Sequence, residues 1–228
     1  MKEKDLIIEL KNLSLSYETS KGESLNILDK ISAKIYKEDS ISIVGPSGAG
    51  KTSLMMLIAG VEKPSSGKLE IAGKDISNLD EDELANFRKE NVGIVFQNFH
   101  LIPTMNALEN VSIAVELAGN SENYTEVAKE SLELVGLADR MDHYPEQLSG
   151  GEQQRVAIAR AFATKPKILL ADEPTGNLDE ENSKKIINLL FDLKKNFKTT
   201  LIIITHDNEL ASMTSRKLKI KDHKLYEE

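Results

Sequence analysis

Eight consecutive residues, Gly45-Pro46-Ser47-Gly48-Ala49-Gly50-Lys51-Thr52, fit the pattern G-x-x-x-x-G-K-[ST]. Such a stretch does its chemistry with the backbone. Glycines let the chain curl so that successive N–H groups converge on a polyphosphate. Lys51 supplies a point charge for β- and γ-phosphates, and the Thr52 hydroxyl is a ligand for Mg2+. Ser53 is grouped with the loop as a further nucleotide contact. The pattern implies binding of a nucleoside triphosphate and is silent on what the energy does. A glycine-rich turn that binds nothing is the plainer alternative, but the context opposes it. The β-branched run Ile41-Ser42-Ile43-Val44 leads in, and residues 52–59 read as a short helix whose positive end faces the phosphates.

Two other stretches carry candidate chemistry. Residues 168–171 are apolar and end in Asp172 and Glu173. An aspartate at the carboxyl end of a buried strand suits Mg2+ held through water. Glu173 is placed to act as general base on the attacking water. Further on the N-terminal side, Leu148-Ser149-Gly150-Gly151-Glu152-Gln153-Gln154-Arg155 sets a serine and two glycines at a helix start. That is a second anion-binding device in form, and equally an ordinary capped helix.

The elements that must hold these residues alternate between strand and helix, which predicts a mainly parallel sheet. Strands are expected at 6–15, followed by Tyr17, and at 27–35, 68–72, 92–96, 168–171 and 201–204. A polar turn is expected at 18–24. Asp80 with Glu83 reads as a capping box opening a helix through residue 88. Between residues 98 and 145 the pattern is helical, at 108–117 and 125–135, so an insert of helices is expected there. Further helices are predicted at 152–163 and around Ile186, Leu189, Leu190 and Leu193.

A chain of 228 residues with 40% hydrophobic and 29% charged content suits one α/β domain, with or without an insert. Its net charge of −8 argues against nucleic acid as the main partner, which would need a basic stripe. With no cysteine there is no disulfide, thiolate metal site or cysteine nucleophile. His100, His143 and His223 lack metal-ligand spacing. No apolar run has the length to span a bilayer, and the charged residues 1–5 lead into an apolar stretch too short for a signal peptide. The Asn-x-Ser/Thr triplets at Asn12, Asn110 and Asn123 therefore read as chance matches. A cytoplasmic chain is expected, one that reaches a membrane only by docking on another protein.

The 148–155 stretch resembles the signature of ABC transporter ATPase subunits, and the resemblance extends over nearly the whole chain. It implies a P-loop NTPase (RecA-like) core with a mainly parallel sheet, an N-terminal antiparallel β subdomain and an inserted α-helical subdomain. In one ABC ATPase domain, residues 1–97 and 156–228 would form the nucleotide-binding core. Residues 98–155 would form the helical insert that carries the signature. The family pairs two chains head to tail around two ATP molecules, so Ser149 and Gly151 of one copy would meet the γ-phosphate held by the other, with Gly150 between them a further nucleotide contact. By the same resemblance Gln97 senses Mg2+ and water, and His206 steadies the γ-phosphate. Asp179 lies at the dimer seam and Tyr17 stacks on adenine. Integral membrane permease subunits are expected to dock near the insert, where Phe99, Leu101, Ile102 and Met105 are candidates for an exposed apolar cluster. That would hold the chain peripherally on the inner face of the cell membrane.

Ala171-Asp172-Glu173-Pro174-Thr175-Gly176-Asn177-Leu178-Asp179 and residues 99–111 look most like the lipoprotein-release, macrolide-export and cell-division group of ABC ATPases. Within it the reading leans to lipoprotein release, or efflux, from the inner membrane. A cell-envelope signalling ATPase, an importer subunit and a non-transport ABC ATPase stay open as alternatives. The chain stops soon after Leu225, so the regulatory domain of some importers is not expected. It departs from the family pattern at Asp222-His223-Lys224, where Asp-Gly before a basic residue is usual. An altered turn is expected there.

Overall fold

A computed structural model describes residues 5–18, 22–119 and 123–228. Most of the charged N-terminal stretch and the middle of the expected turn at 18–24 lie outside the described residues. The chain forms two compact units: Met1–Arg88 with Thr200–Glu228, and Lys89–Thr199.

The first unit opens with β1 (Leu6–Glu18), β2 (Ser24–Tyr36) and β3 (Ser40–Val44). Helix α1 (Lys51–Ile58), β4 (Ser66–Ile71), the short β5 (Lys74–Asp75) and α2 (Glu81–Asn91) follow. The second unit contributes β6 (Val92–Val95), α3 (Ala107–Leu117), α4 (Tyr124–Leu134), α5 (Gly150–Phe162), β7 (Ile168–Asp172) and α6 (Glu180–Phe197). The chain then returns to the first unit as β8 (Thr200–Ile204), α7 (Asn208–Ser212), β9 (Arg216–Lys221) and β10 (Lys224–Glu227).

The first unit holds an antiparallel sheet in the order β2-β1-β4-β5, the β subdomain expected at the N-terminal side. Strand β1 runs past the predicted end to include Tyr17, paired with Leu25 of β2. Its register slips around Asn12, whose φ is +48°, and this bulge bends the strand. In the same unit β3 lies between β8 and β9, parallel to both. Every residue of β3 and β8 is buried, as a β-branched central strand requires. In the second unit β6 and β7 are parallel. Among the described residues from β6 to β7 only helices and turns occur, in keeping with the helical pattern of the sequence.

Helix ends follow local chemistry. Asp80 and Glu83 exchange backbone bonds of 3.0 and 2.9 Å at the start of α2, the capping box read from sequence. The helix continues to Asn91 rather than stopping at 88, because Lys89 and Glu90 are good helix formers. Gly60 and Gly136 follow α1 and α4 with φ of +66° and +72°, the left-handed stop. Helix α5 begins at Gly150 rather than 152, since Ser149 caps it and draws both glycines into the first turn. A turn was expected at Asp222-His223-Lys224, but the strands β9 and β10 that it joins were not. Asp222 and His223 form the two-residue turn of this hairpin, both left-handed at +48° and +63°. Such a turn matches strand twist but here lacks the glycine that usually announces it.

Candidate functional site

In the first unit β3 delivers the chain to the phosphate loop. Gly45 has φ of +153°, and a Cβ there would lie 2.5 Å from the Ile220 carbonyl oxygen. Gly48 and Gly50 are left-handed at +76° and +97°. Only glycine takes these conformations cheaply. Gly50 is also the N-cap of α1, and no side chain caps that helix. Its first-turn N–H groups thus point out from a helix start, the arrangement that binds phosphate. Lys51 folds back over the loop, its Nζ donating to the carbonyls of Gly45 and Pro46, both at 2.9 Å. Pro46, Ser47 and Thr52 are exposed, while Ala49 and Ser53 are half-buried.

His206 leaves the end of β8 next to this loop. Ile43 pairs with Ile204 in parallel register, and the Thr205 N–H donates to the Ile43 carbonyl at 3.3 Å. Gly45 and His206 therefore emerge from the carboxyl ends of adjacent parallel strands, where ligands of such sheets bind. The side chain of Tyr17 reaches α1 and its exit, bonding to Glu62 and Ser53.

The second unit repeats the logic. Val95 pairs with Ala171, so Gln97 and Glu173 emerge from the ends of β6 and β7 at equivalent positions, just after Asp172. Glu173 has φ of +45°. A left-handed glutamate costs about 1 kcal/mol or more, and such strain clusters at functional positions. Gln97 donates from Nε2 to Asn177 Oδ1 at 3.3 Å. Asn177 returns Nδ2 bonds of 3.0 Å to the Gln97 carbonyl and to Asn98 Oδ1. The Gly176 backbone packs so close that a Cβ would lie 2.7 Å from Gln97 Nε2.

The signature residues form a capping box at α5. Ser149 accepts from the Glu152 N–H at 3.3 Å and donates to its carboxylate at 2.7 Å. That hydroxyl, then the Ser149 amide and Arg140, hold the Glu152 carboxyl below its ordinary range. Asp179 caps α6 through the Asn182 N–H at 2.9 Å and its amide at 2.6 Å. These bonds, that of the Asn182 N–H foremost, hold the Asp179 carboxyl below its ordinary range. The two helix starts touch: a Cβ on Gly151 would lie 3.1 Å from Asn182 Oδ1.

Sequence reasoning missed the residues that hold these groups still. Asn177 ties Gln97 down. Gln154, fully buried, donates to the Pro174 carbonyl at 2.7 Å and so fixes the turn after Glu173. Arg160 donates to the carbonyls of Phe99 and His100 at 2.7 and 2.6 Å, both left-handed residues, and desolvation lowers its pKa. A glutamine and an arginine on the inner side of α5 were the available signal, but their partners are distant in sequence. Asn110 is also fully buried, bonded to Ile102 and Met105, as suits a triplet that matches by chance.

Residues 28–176 match the ABC transporter family. The chain is 46% identical to the Escherichia coli protein YbbA, described as an uncharacterized ABC transporter ATP-binding protein, over 97% of both chains. It is 47% identical to the Bdellovibrio bacteriovorus lipoprotein-releasing system ATP-binding protein LolD, covering 91% of this chain and 94% of that one. Among solved structures it resembles a dimeric post-hydrolysis state of the ATP-binding cassette MJ0796 bound to ADP and Pi. That likeness has a TM-score of 0.89 and 37% identity over 97% of this chain and 98% of the other. The chain belongs to the ABC transporter family, as one of its ATP-binding, ATP-hydrolysing subunits with a P-loop NTPase fold.

Proposed function

We propose that this chain powers a membrane complex that releases lipoproteins, working as a homodimer of ATPase subunits docked on integral membrane permease subunits. The observation that carries the reading is its 47% identity to a subunit named for lipoprotein release. The dimeric state of a solved relative supports the pairing. Among the described residues no helix is long and apolar enough to cross a membrane, so attachment to the inner face of the cell membrane falls to partners. The permease surface lies in residues 98–155, the helical insert of a single ABC ATPase domain, where Phe99, Leu101, Ile102 and Met105 are half-buried.

Each site residue then has a role. The amides of Gly45 to Thr52 and Ser53, with the Lys51 ammonium, bind the phosphates of ATP, and Tyr17 stacks on adenine. Thr52, Gln97 and Asp172 offer a hydroxyl, an amide oxygen and a carboxylate, an all-oxygen set that fits Mg2+. With its Nε2 donating to Asn177, the Oε1 of Gln97 is the end that can serve a cation. Held by these residues, Mg2+ would supply charge neutralisation for the triphosphate. Glu173 accepts the proton of the attacking water and His206 steadies the γ-phosphate. Ser149, Gly150, Gly151 and Asp179 complete the site of the other copy, so ATP holds the pair together and hydrolysis releases it.

Replacing Glu173 with Gln is expected to leave ATP binding intact and slow turnover about 100- to 10,000-fold. It should also trap an ATP-bound dimer visible by size-exclusion chromatography. Turnover at the wild-type rate would remove Glu173 as the base. For the cargo, depletion of the protein should make lipoproteins accumulate in the inner membrane, and a permease should co-purify with it. A retained permease without accumulated lipoprotein would favour envelope signalling instead.

A further inference from the structure

Tyr17 stands near the end of β1, 43% exposed, and its phenol donates to the Glu62 carboxylate. The Ser53 hydroxyl bonds to the same phenol oxygen. Ser53 belongs to the helix that begins at the phosphate loop, and Glu62 to the turn that leaves it. Ser53 is on the first turn of α1, and the Glu62 N–H donates to the carbonyl of Met56 at 3.2 Å. The turn carrying Glu62 is then stapled to the strand carrying Tyr17. Ser65 donates from its N–H to the Ser14 carbonyl at 2.9 Å and from its hydroxyl to the Ser16 carbonyl at 3.1 Å. In return the Ser16 N–H donates to the Ser65 hydroxyl at 2.9 Å. Glu62 is therefore presented by a turn anchored on both sides. Its carboxylate pushes the Tyr17 pKa up to about 12, so the phenol stays a donor throughout the working pH range.

We propose that Glu62 is a positioning residue for nucleotide binding, which together with Ser53 sets the Tyr17 ring in register with the phosphate loop before ATP arrives. This rests on the reading of Tyr17 as the adenine platform. An exposed tyrosine left free must be ordered at the moment of binding, and ordering one side chain weakens binding by about threefold to tenfold. Tethering the phenol removes that cost in advance. The sign separates this role from simple charge. A carboxylate near a triphosphate repels it, so an effect through charge alone would make removal of Glu62 tighten binding.

The test is equilibrium binding of ATP to the isolated chain by calorimetry. Glu62→Ala is expected to weaken ATP about threefold to tenfold, with the loss in KM rather than kcat. Glu62→Gln, which keeps an acceptor for the phenol, should return within about twofold of wild type. Inorganic tripolyphosphate, which has no base to stack, should bind Glu62→Ala and wild type alike. In a Tyr17→Phe background Glu62→Ala should have no further effect, because the phenol it acts through is gone. An equal loss in that background, or tighter binding by Glu62→Ala, would overturn the proposal. So would unchanged affinity in Glu62→Ala while Tyr17→Ala weakens ATP. If Tyr17→Ala itself leaves ATP affinity untouched, the adenine platform fails first and the role of Glu62 fails with it.

Discussion

The phosphate loop and the Gln97–Asn177 contact, both given roles in the proposed function, are built from opposite materials. In the loop the recognising groups belong to the backbone, and side chains are removed to expose them: Gly45, Gly48 and Gly50 have no Cβ, and α1 has no side-chain cap. In the second unit, the two signature glycines aside, the candidate groups are side chains, and three of them are already engaged. Gln97 is bonded to Asn177, Ser149 to Glu152 and Asp179 to Asn182. A backbone site should therefore break when atoms are added. A side-chain site should break when a partner is taken away or displaced, often without harm to the fold.

The largest effect expected of this contrast is at Gly45. A Cβ there meets a backbone oxygen at 2.5 Å, which cannot swing aside as a side chain would. Gly45→Ala should lose about 3 kcal/mol of stability and most of its ATP affinity, read by denaturant unfolding and calorimetry. Normal ATP binding in a stable Gly45→Ala variant would show that the loop does not depend on its bare backbone.

Gly176→Ala tests the other material. Its Cβ would meet Gln97 Nε2 at 2.7 Å, but here the obstacle is the end of a flexible side chain. Gln97 can move away at a stability cost below about 1 kcal/mol. Displaced, it leaves Asn177 and the place proposed for it beside the reacting groups. Turnover should fall at least about tenfold, because a small misplacement near the chemistry is costly. A variant that loses stability but keeps its kcat would mean that Gln97 has no need of this position.

The same division decides what could be read in the sequence. The phosphate loop was legible because its glycines, lysine and threonine lie within eight residues and each acts locally. Helices α3, α4 and α6 were legible from apolar spacing, and α2 from its Asp80–Glu83 box. Asn177, Gln154 and Arg160 were not, because their partners lie 80, 20 and 60 or 61 residues away. No local pattern marks a pairing of that kind. The β9–β10 hairpin escaped for another reason. Strand β9 does alternate, Lys217-Leu218-Lys219-Ile220-Lys221, but it is short, β10 has four residues, and the turn between them has histidine in place of glycine.

Ser149→Ala separates capping from catalysis. Loss of the box should cost about 1 kcal/mol at neutral pH. The pH dependence has a definite sign. Glu152 has a depressed folded pKa, caused first by the Ser149 hydroxyl. Its stabilisation is present above the unfolded value, about 4.3, and is lost as pH falls through the folded value. The stability gap between wild type and Ser149→Ala should therefore narrow below about pH 4.3, measured by unfolding at successively lower pH. If turnover falls far more than 1 kcal/mol explains, about fivefold, the hydroxyl also acts on the nucleotide of the other copy.

His223→Gly should give the smallest change, since it sets a backbone gain against a side-chain loss. The left-handed His223 costs about 1 kcal/mol relative to glycine. Against that, its Nδ1 lies 3.2 Å from the Ile27 carbonyl, a bond worth about 1 kcal/mol. Glycine also adds unfolded-state entropy. The neighbouring contacts survive the substitution: the Asp29 N–H still donates to the carbonyl of residue 223, at 2.9 Å, and Lys224 still pairs with Asp29 at 2.6 Å. Denaturant midpoints should agree to within about 0.5 kcal/mol, and ATP turnover should not move. A gain above about 1 kcal/mol would show that the imidazole contributes nothing and that the histidine is tolerated only as strain. A loss of that size would make the imidazole–Ile27 contact the main tie between the hairpin turn and β2, and would place this turn with the side-chain sites of the second unit rather than with the glycine-built loop of its own.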